Sequence, residues 1–566
     1  MKILDNKFFY ILSLAIIFST IFNYLNIERE ASLSFVILLV IIGLLYKYLF
    51  TWHFDWPNVN NNIIYFLFII LFIFTYISQN VFLNYETLDW DIPSYLVASQ
   101  EIKNGYLPNE TQWESKGPLL FYFYNIFLLI SSKNFLIFKL LNDLILFFIS
   151  VILFFTIFRS TDNDYVKSFF SSLLFLLLMS QSWAVSEYSE TFCLLFISLA
   201  NFLILKVELT SSNLFLIGLV MSFSTLINQG TFIFTLPLII FFYKNVEINK
   251  FIKRLFIFGI GLLFPHLIFV IIYASQNLLN IYFATYIQIP LGYVQSNYAN
   301  IYELRVFFRS FHENIEPLYF VLTVLIFFLT VRTFQKLGNL KNIFFDIKYL
   351  NIAICFLFYF VGSHNYYHHL IFLMYFLSLM LLEINVNSQN LLIYFLLTIS
   401  SFVFLQQNFE KSLNNISSPN KTFSEYPLKD LAIEIDSYFD NDDYTILALD
   451  YLLVPFYLDK QNYTYIVHPS NHFENFIVET LSDLGAIESN YIENILLFEE
   501  PDVIMCSQRM IIRGSPTQNP LYNCAVDDYR KNYTQLDTSK YVNNPNFNFY
   551  KDPYKELNVY IKQKSN

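Results

Sequence analysis

The sequence predicts a mainly α protein, a polytopic bundle of transmembrane helices followed by a C-terminal extracytoplasmic α/β domain. Three observations predict it. Hydrophobic residues make up 55% of the 566 positions and charged ones 14%, too little polar surface to cover a soluble globule of this size. Apolar segments close to the length of a membrane crossing recur along residues 1–410. Beyond Pro419 charge rises, and short β-like runs alternate with amphipathic ones.

In chain order the apolar candidates are 8–26, 33–50, 63–83, 134–158, 166–182, 190–206, 213–229, 231–243, 252–274, 317–333, 349–362, 367–384 and 390–406, about 13 spans on a ruler of roughly 20 residues per crossing. Segments 231–243 and 349–362 are short enough to be re-entrant or broken. The first reads as a retained anchor, because basic residues precede it and no small-x-small cleavage site follows. Segment 118–131 is apolar but short, and reads as a helix lying at the outer interface.

Lys and Arg set the orientation. With the N-terminus inside, the cytoplasmic loops hold Lys2, Lys7, Lys47, Arg159, Lys167, Lys206, Lys244, Lys250, Lys253, Arg254, Arg332, Lys336, Lys341 and Lys348. The opposite loops hold only Arg29, Lys103, Lys116, Lys133, Arg305 and Arg309. That bias places loops 84–133 and 275–316 and the 420–566 domain outside a plasma (inner) membrane. In that domain, 444–450, 463–468, 502–506 and 557–562 read as strands, and 428–439 and 473–485 as helices. Cys193 and Cys355 fall in apolar runs, whereas Cys506 and Cys524 stand where a disulfide is permitted. Sequons at Asn109, Asn415, Asn420, Asn462 and Asn532 read as accidental in a chain this rich in Asn. A formal net charge of −11 excludes nucleic acid as a partner.

The longest polar interruption of the first third is LDWDIPSYLVASQEIKNGYLPNETQWESKGPLL, residues 88–120. Pro93 pushes Ile92 toward an extended conformation, in which Asp89 and Asp91 point the same way. Two close, partly desolvated carboxylates raise each other's pKa, which suits one of them to act as a general base. The alternative is that Asp91 or Ser94 caps the helix that begins near Pro93; the two roles are compatible.

This loop resembles the first outer loop of the GT-C membrane glycosyltransferases, above all the protein O-mannosyltransferases and lipid A aminoarabinose transferases. The resemblance rests on the order Asp91, Tyr95, Glu101, Gly105, Pro108, then Glu114-Ser115-Lys116-Gly117-Pro118-Leu119 and Tyr122, over about 35 residues with loop lengths nearly kept. It implies a transferase that takes a sugar from a polyprenyl-phosphate donor, with Asp91 as the catalytic carboxylate and Lys116 on the donor phosphate. Ile92 stands where the family often has a second acid, so Asp89 would serve instead, and Ser115 splits the Glu-Lys pair, which puts the equivalence of Glu114 in question. Negative charge grows on the departing phosphate in such a transfer, so nearby cations favour the transition state.

Besides Lys116, the outer cations Arg305 and Arg309 are candidates for the phosphate, with ordinary headgroup contact as the alternative. In SHNYYHHL (363–370), His364, His368 and His369 are candidates to bind a metal or the sugar, His368 first among them for the substrate. No cofactor is required. A divalent metal is the alternative, held by Glu114, His364 and His368, although histidines beside tyrosines at a membrane boundary also belong to the aromatic belt. Glu187 and Glu190 read as solvated loop charges that could help hold a sugar. Lys139 and Asp143, at i, i+4 in a span, read as a pair on one helix face. Protein, lipid and glycan acceptors all stay open. The competing functions are a transporter or flippase for a lipid-linked glycan, and an oligosaccharide ligase or polymerase built on loop 275–316.

Overall fold

The computed structural model describes residues 61–563, apart from 87–88, 132–133, 162, 207, 245, 297–304, 306–315, 337–345, 361–365, 385–387, 418–425, 441–442, 507–531 and 548–556. The predicted spans 8–26 and 33–50 lie outside the described residues.

The molecule is mainly helical with one small sheet. Among the described residues the α-helices begin, in order, with α1 (Asn61–Asn80), α2 (Asp91–Lys103), α3 (Pro118–Ser131), α4 (Phe135–Phe158), α5 (Tyr165–Leu178), α6 (Ser189–Lys206), α7 (Ser211–Ile227), α8 (Thr235–Tyr243), α9 (Ile248–Ser275), α10 (Leu279–Phe283) and α11 (Ile289–Ser296). Then come α12 (Glu316–Lys336), α13 (Ile347–Phe360), α14 (Ile371–Leu379), α15 (Ser388–Ser417), α16 (Pro427–Asp436), α17 (Leu453–Tyr457) and α18 (Asn475–Asp483). Each apolar run from residue 63 onward coincides with a helix. Among the described residues, Asn62–Asn80, Leu136–Phe158 and Ile248–Ser275 are long and apolar enough to cross a membrane. Several other apolar helices run 10–17 residues.

Segment 231–243 is broken, with a 3₁₀ turn at Gln229–Phe234 leading into α8. Segment 349–362 holds one unbroken helix, α13. Helix α3 forms as expected, with Pro118–Phe127 buried on every side and Leu129 and Ile130 exposed near its end. Helices α7 and α9 meet backbone to backbone. A Cβ on Gly218 would lie 2.2 Å from the Phe258 carbonyl oxygen, and one on Gly261 2.1 Å from that of Phe215, the close approach that small residues permit between apolar helices.

The sheet has the order β1 (Ile446–Ala448), β2 (Val503–Cys506), β4 (Asn558–Lys562), β3 (Tyr533–Gln535). Strands β1 and β2 are parallel with Ile446 opposite Val503; β2/β4 and β4/β3 are antiparallel. Strand β3, half exposed and only three residues long, carries no alternation strong enough to read from sequence. The predicted strand 463–468 is not part of the sheet. It makes a single parallel bridge to loop residue Trp113, which donates to the Tyr465 carbonyl (2.5 Å) and accepts from the Val467 N–H (3.0 Å). Only its first residue hydrogen-bonds to the sheet, where the Tyr463 N–H donates to the Ile446 carbonyl of β1 (2.8 Å); Tyr465 and Val467 are bound by the first loop. Cys506 is disulfide-bonded and Cys193 and Cys355 are free thiols; Cys524 lies outside the described residues.

Candidate active site

The polar loop builds the site by satisfying its own backbone. Glu101, fully buried, accepts the N–H groups of Asn109 (2.5 Å), Thr111 (2.8 Å) and Gln112 (3.0 Å). Three converging donors from one loop fold that loop around the carboxylate. Asn109, at φ 66°, makes the bend, and its side chain accepts the Glu114 N–H at 2.9 Å. Downstream, Gln229 donates to the Ser115 carbonyl (2.6 Å) and Gly117 donates to that of Ile227 (2.9 Å). Lys116 is thereby pinned between two anchored residues. Gly117 must be glycine, because a Cβ there would lie 2.1 Å from the Leu226 carbonyl oxygen.

Helix α2 begins at Asp91, so Asp91 and Ile92 are helical where Pro93 was expected to hold Ile92 extended. A proline in the first helical turn costs no hydrogen bond, since those N–H groups have no intrahelical partner. The cap is Asp89, which accepts from the N–H of Asp91 (3.1 Å) and Ile92 (3.4 Å) and takes the Tyr188 hydroxyl on its other oxygen. Neither Asp91 nor Ser94 caps the helix; Ser94 donates its hydroxyl to the Trp90 carbonyl at 2.7 Å. The two acidic residues have therefore divided their work. Burial first, and the Asp91 charge second, raise the pKa of Asp89.

Asp91 faces the pocket with an imidazole on each oxygen. His468 Nε2 lies 2.8 Å from Oδ1 and His368 Nε2 3.4 Å from Oδ2. Burial by itself would raise Asp91, but the His468 hydrogen bond and the positive charge of Lys116 help to outweigh it and hold the carboxyl well below the usual range, so the raised pKa expected of this pair falls on Asp89 and not on Asp91. His368 stacks on the Tyr188 ring, with centroids 4.7 Å apart and planes 16° apart. Lys116 Nζ sits 5.9 Å from the centre of the buried Tyr95 ring and 3.9 Å from Glu190 Oε1. Burial works against the ammonium, yet Glu190, Asp91 and Glu114 more than compensate and raise its pKa.

Glu190, fully buried at the start of α6, also lies 3.8 Å from His369 Nε2 and accepts from Asn228 at 3.1 Å. Glu114 accepts the N–H and hydroxyl of Ser115, both at 2.8 Å, on one oxygen. Its other oxygen is buried without a hydrogen-bond partner, and burial raises its pKa. Among the described residues, two donor sets have ligand atoms close enough to share a metal ion: Glu190, His368 and His369, or Asp89, Asp91 and His368.

Of the residues singled out from sequence, the fold gathers Asp89, Asp91, Tyr95, Glu114, Lys116 and His368 into one buried cluster. Arg305 is exposed and makes no described contact with it; Arg309 and His364 lie outside the described residues. Glu187 and Glu190 are buried, not solvated. Lys139 pairs with Glu187 at 2.6 Å and not with Asp143, which accepts from Ser186 (2.7 Å) and Asn80 (2.9 Å). His369, a sequence candidate for a metal or the sugar, does join the cluster beside Glu190; sequence reasoning missed Tyr188, Asn228 and His468. For His468 the available signal was the dipeptide His468-Pro469 closing an apolar run, the pattern of a chain turning at the edge of a domain.

No family model matches the chain, and no curated protein matches it. Among solved structures it is similar to ArnT from Cupriavidus metallidurans, crystallised with undecaprenyl phosphate, at 10% identity and a TM-score of 0.57 over 89% of this chain and 98% of that one. At that identity the likeness is one of fold, and it spans nearly the whole of both chains: the molecule has the fold of ArnT.

Proposed function

We propose that the protein is an integral membrane glycosyltransferase that moves a sugar from a polyprenyl-phosphate donor to an acceptor on the extracytoplasmic face. One observation carries the reading. Asp91, held by His468 and His368, and Lys116, beside Glu190, lie in one largely buried cluster in which the lysine's charge favours the carboxylate. That is the pairing of base and phosphate-binding cation that such a transfer requires. The neighbouring ArnT was crystallised with undecaprenyl phosphate, which supports a donor of that class here.

In this scheme the sugar's C1–O bond to phosphate breaks with its electron pair leaving on the phosphate, which Lys116 stabilises. The acceptor oxygen or nitrogen bonds to C1 from the opposite face, inverting the centre, and its proton passes to Asp91. Asp89 secures the turn that presents Asp91. Glu114, with one free buried oxygen, and His368 and His369 are positioned to hold sugar hydroxyls. The C-terminal part, stitched to the loop through Trp113, helps choose a protein, lipid or glycan acceptor. About 13 spans with the 420–566 part outside a plasma membrane fit this arrangement, as the Lys/Arg bias suggests. Lys139, Asp143 and Glu187 have fixed partners in a closed network, so they offer a transporter no exchangeable site.

The test is incorporation of labelled sugar from a polyprenyl-phosphate donor in membranes. Asp91→Asn, which keeps the shape and loses the base, lowers turnover by about 10²-fold or more. Normal turnover in that variant removes Asp91 from this role.

A further inference from the structure

The chain's C-terminal part supplies a residue to the reacting centre. His468 stands at the head of the 3₁₀ turn Pro469–Phe473, 377 residues from Asp91 in sequence. It is buried, with its side chain 9% exposed. Both of its ring nitrogens are engaged. Nε2 lies 2.8 Å from Asp91 Oδ1. Nδ1 lies 3.2 Å from the Ser470 backbone nitrogen and 2.8 Å from the Ser470 hydroxyl. A backbone N–H can only donate, so Nδ1 accepts, and the neutral ring must carry its proton on Nε2, facing Asp91.

We infer that His468 is a positioning residue for the transfer: its Nε2–H occupies Asp91 Oδ1 and leaves Oδ2 as the oxygen that receives the acceptor's proton. This rests on the reading of Asp91 as the base. The two contacts on Asp91 differ in kind. That to His468 is short and locked from behind by Ser470, whereas His368 approaches Oδ2 at 3.4 Å, a loose contact that an entering hydroxyl or amine can displace. With its far nitrogen committed to Ser470, His468 cannot itself take the acceptor's proton while the turn is intact. Its work is to hold one carboxylate oxygen and the ring of Trp90, which meets it edge-on at 6.4 Å and donates to Asp450 at 3.0 Å. The other charged and titratable groups around Asp91 are Asp89 on its own turn, Glu114 and Lys116 on the loop, Tyr95 on α2, Tyr124 on α3, Tyr293 on α11, Tyr366 and His368.

The pair His468→Ala and His468→Gln tests this in the full-length protein in membranes, because a glutamine amide places an N–H donor close to the position of Nε2. His468→Ala lowers kcat by about 10–100-fold, the scale of a misplaced reacting group, and leaves the donor KM within about twofold. His468→Gln restores most of kcat. An alanine variant with wild-type kcat overturns the inference, as does one whose loss lies in the donor KM alone, or a glutamine variant as impaired as the alanine one. Asp91→Asn in the same assay separates the two levels. If it is inactive while His468→Ala is normal, the base stands and His468 falls. If it is active, the reading of Asp91 falls and takes this inference with it.

Discussion

Lys116 shows how a single residue is made fit for one job. Its ammonium is nearly buried, at 15% side-chain exposure, which would ordinarily favour the neutral amine. Glu190, Asp91 and Glu114 reverse that preference, so a full positive charge waits in a place where water screens it little. A phosphate that gains charge as its sugar departs meets this cation most strongly in the transition state. Lys116→Met therefore lowers kcat more than it raises the donor KM, with a loss of about 10²–10³-fold in kcat. A variant altered in KM alone would mean that the lysine only anchors the donor. The residues of this cluster were unequally legible. Asp91, Glu114 and Lys116 stand in one polar loop amid apolar sequence, so their types and spacing pointed to a site. His468 and Glu190 reach it from distant segments, and no local periodicity records a contact across hundreds of residues. The sequons divide in the same way. Asn109, Asn415 and Asn462 are buried with their side chains engaged, which no residue count could tell.

At the scale of elements, the loop is a clamp closed at both ends. Helix α2 starts it under the Asp89 cap, and Gly117 ends it against α7, where the Leu226 carbonyl oxygen fills the space a side chain would need. Gly117→Ala must push two backbones apart, an overpacking of about 1–3 kcal/mol, and it displaces the neighbouring Lys116. A lowered thermal midpoint in detergent together with a loss of turnover of about tenfold or more is expected. An alanine variant normal in both would show that the loop is not seated on α7. Hydrophobic runs located the helices well because a span must be apolar over its whole length. The start of α2 was misjudged because a proline near an apolar run signals either an extended residue before it or a first turn around it. Only the Asp89 side chain, folded back on two N–H groups, decides between them. Strand 463–468 was misread for a related reason: alternation reveals that a segment pairs on one side, but not with what.

At the scale of the whole molecule, the helical bundle and the sheet-bearing part share one continuous core. Buried residues from α1 to α15 are contiguous with Leu428, Val454, Val503 and Val559. One joint is Glu86, buried at the end of the segment that follows α1. It accepts the N–H groups of Leu428 (2.6 Å) and Lys429 (3.0 Å) at the start of α16. Burial outweighs those hydrogen bonds and pushes its carboxyl up to about 8, against about 4.3 in an unfolded chain. Between those two values the folded protein holds a proton that the unfolded chain has released, so the Glu86 contribution to stability is full below about pH 4.3 and declines as pH rises toward 8. Glutamine never ionises, and although its amide nitrogen cannot accept the second of two N–H groups that bind separate oxygens, that loss is the same at every pH. The difference in thermal midpoint, Glu86→Gln minus wild type, therefore grows steadily between pH 5 and pH 8 and levels off above it. Other titrating groups cancel in that difference, so parallel profiles across the range would mean that Glu86 meets water in the folded state and that the joint between bundle and sheet is open there.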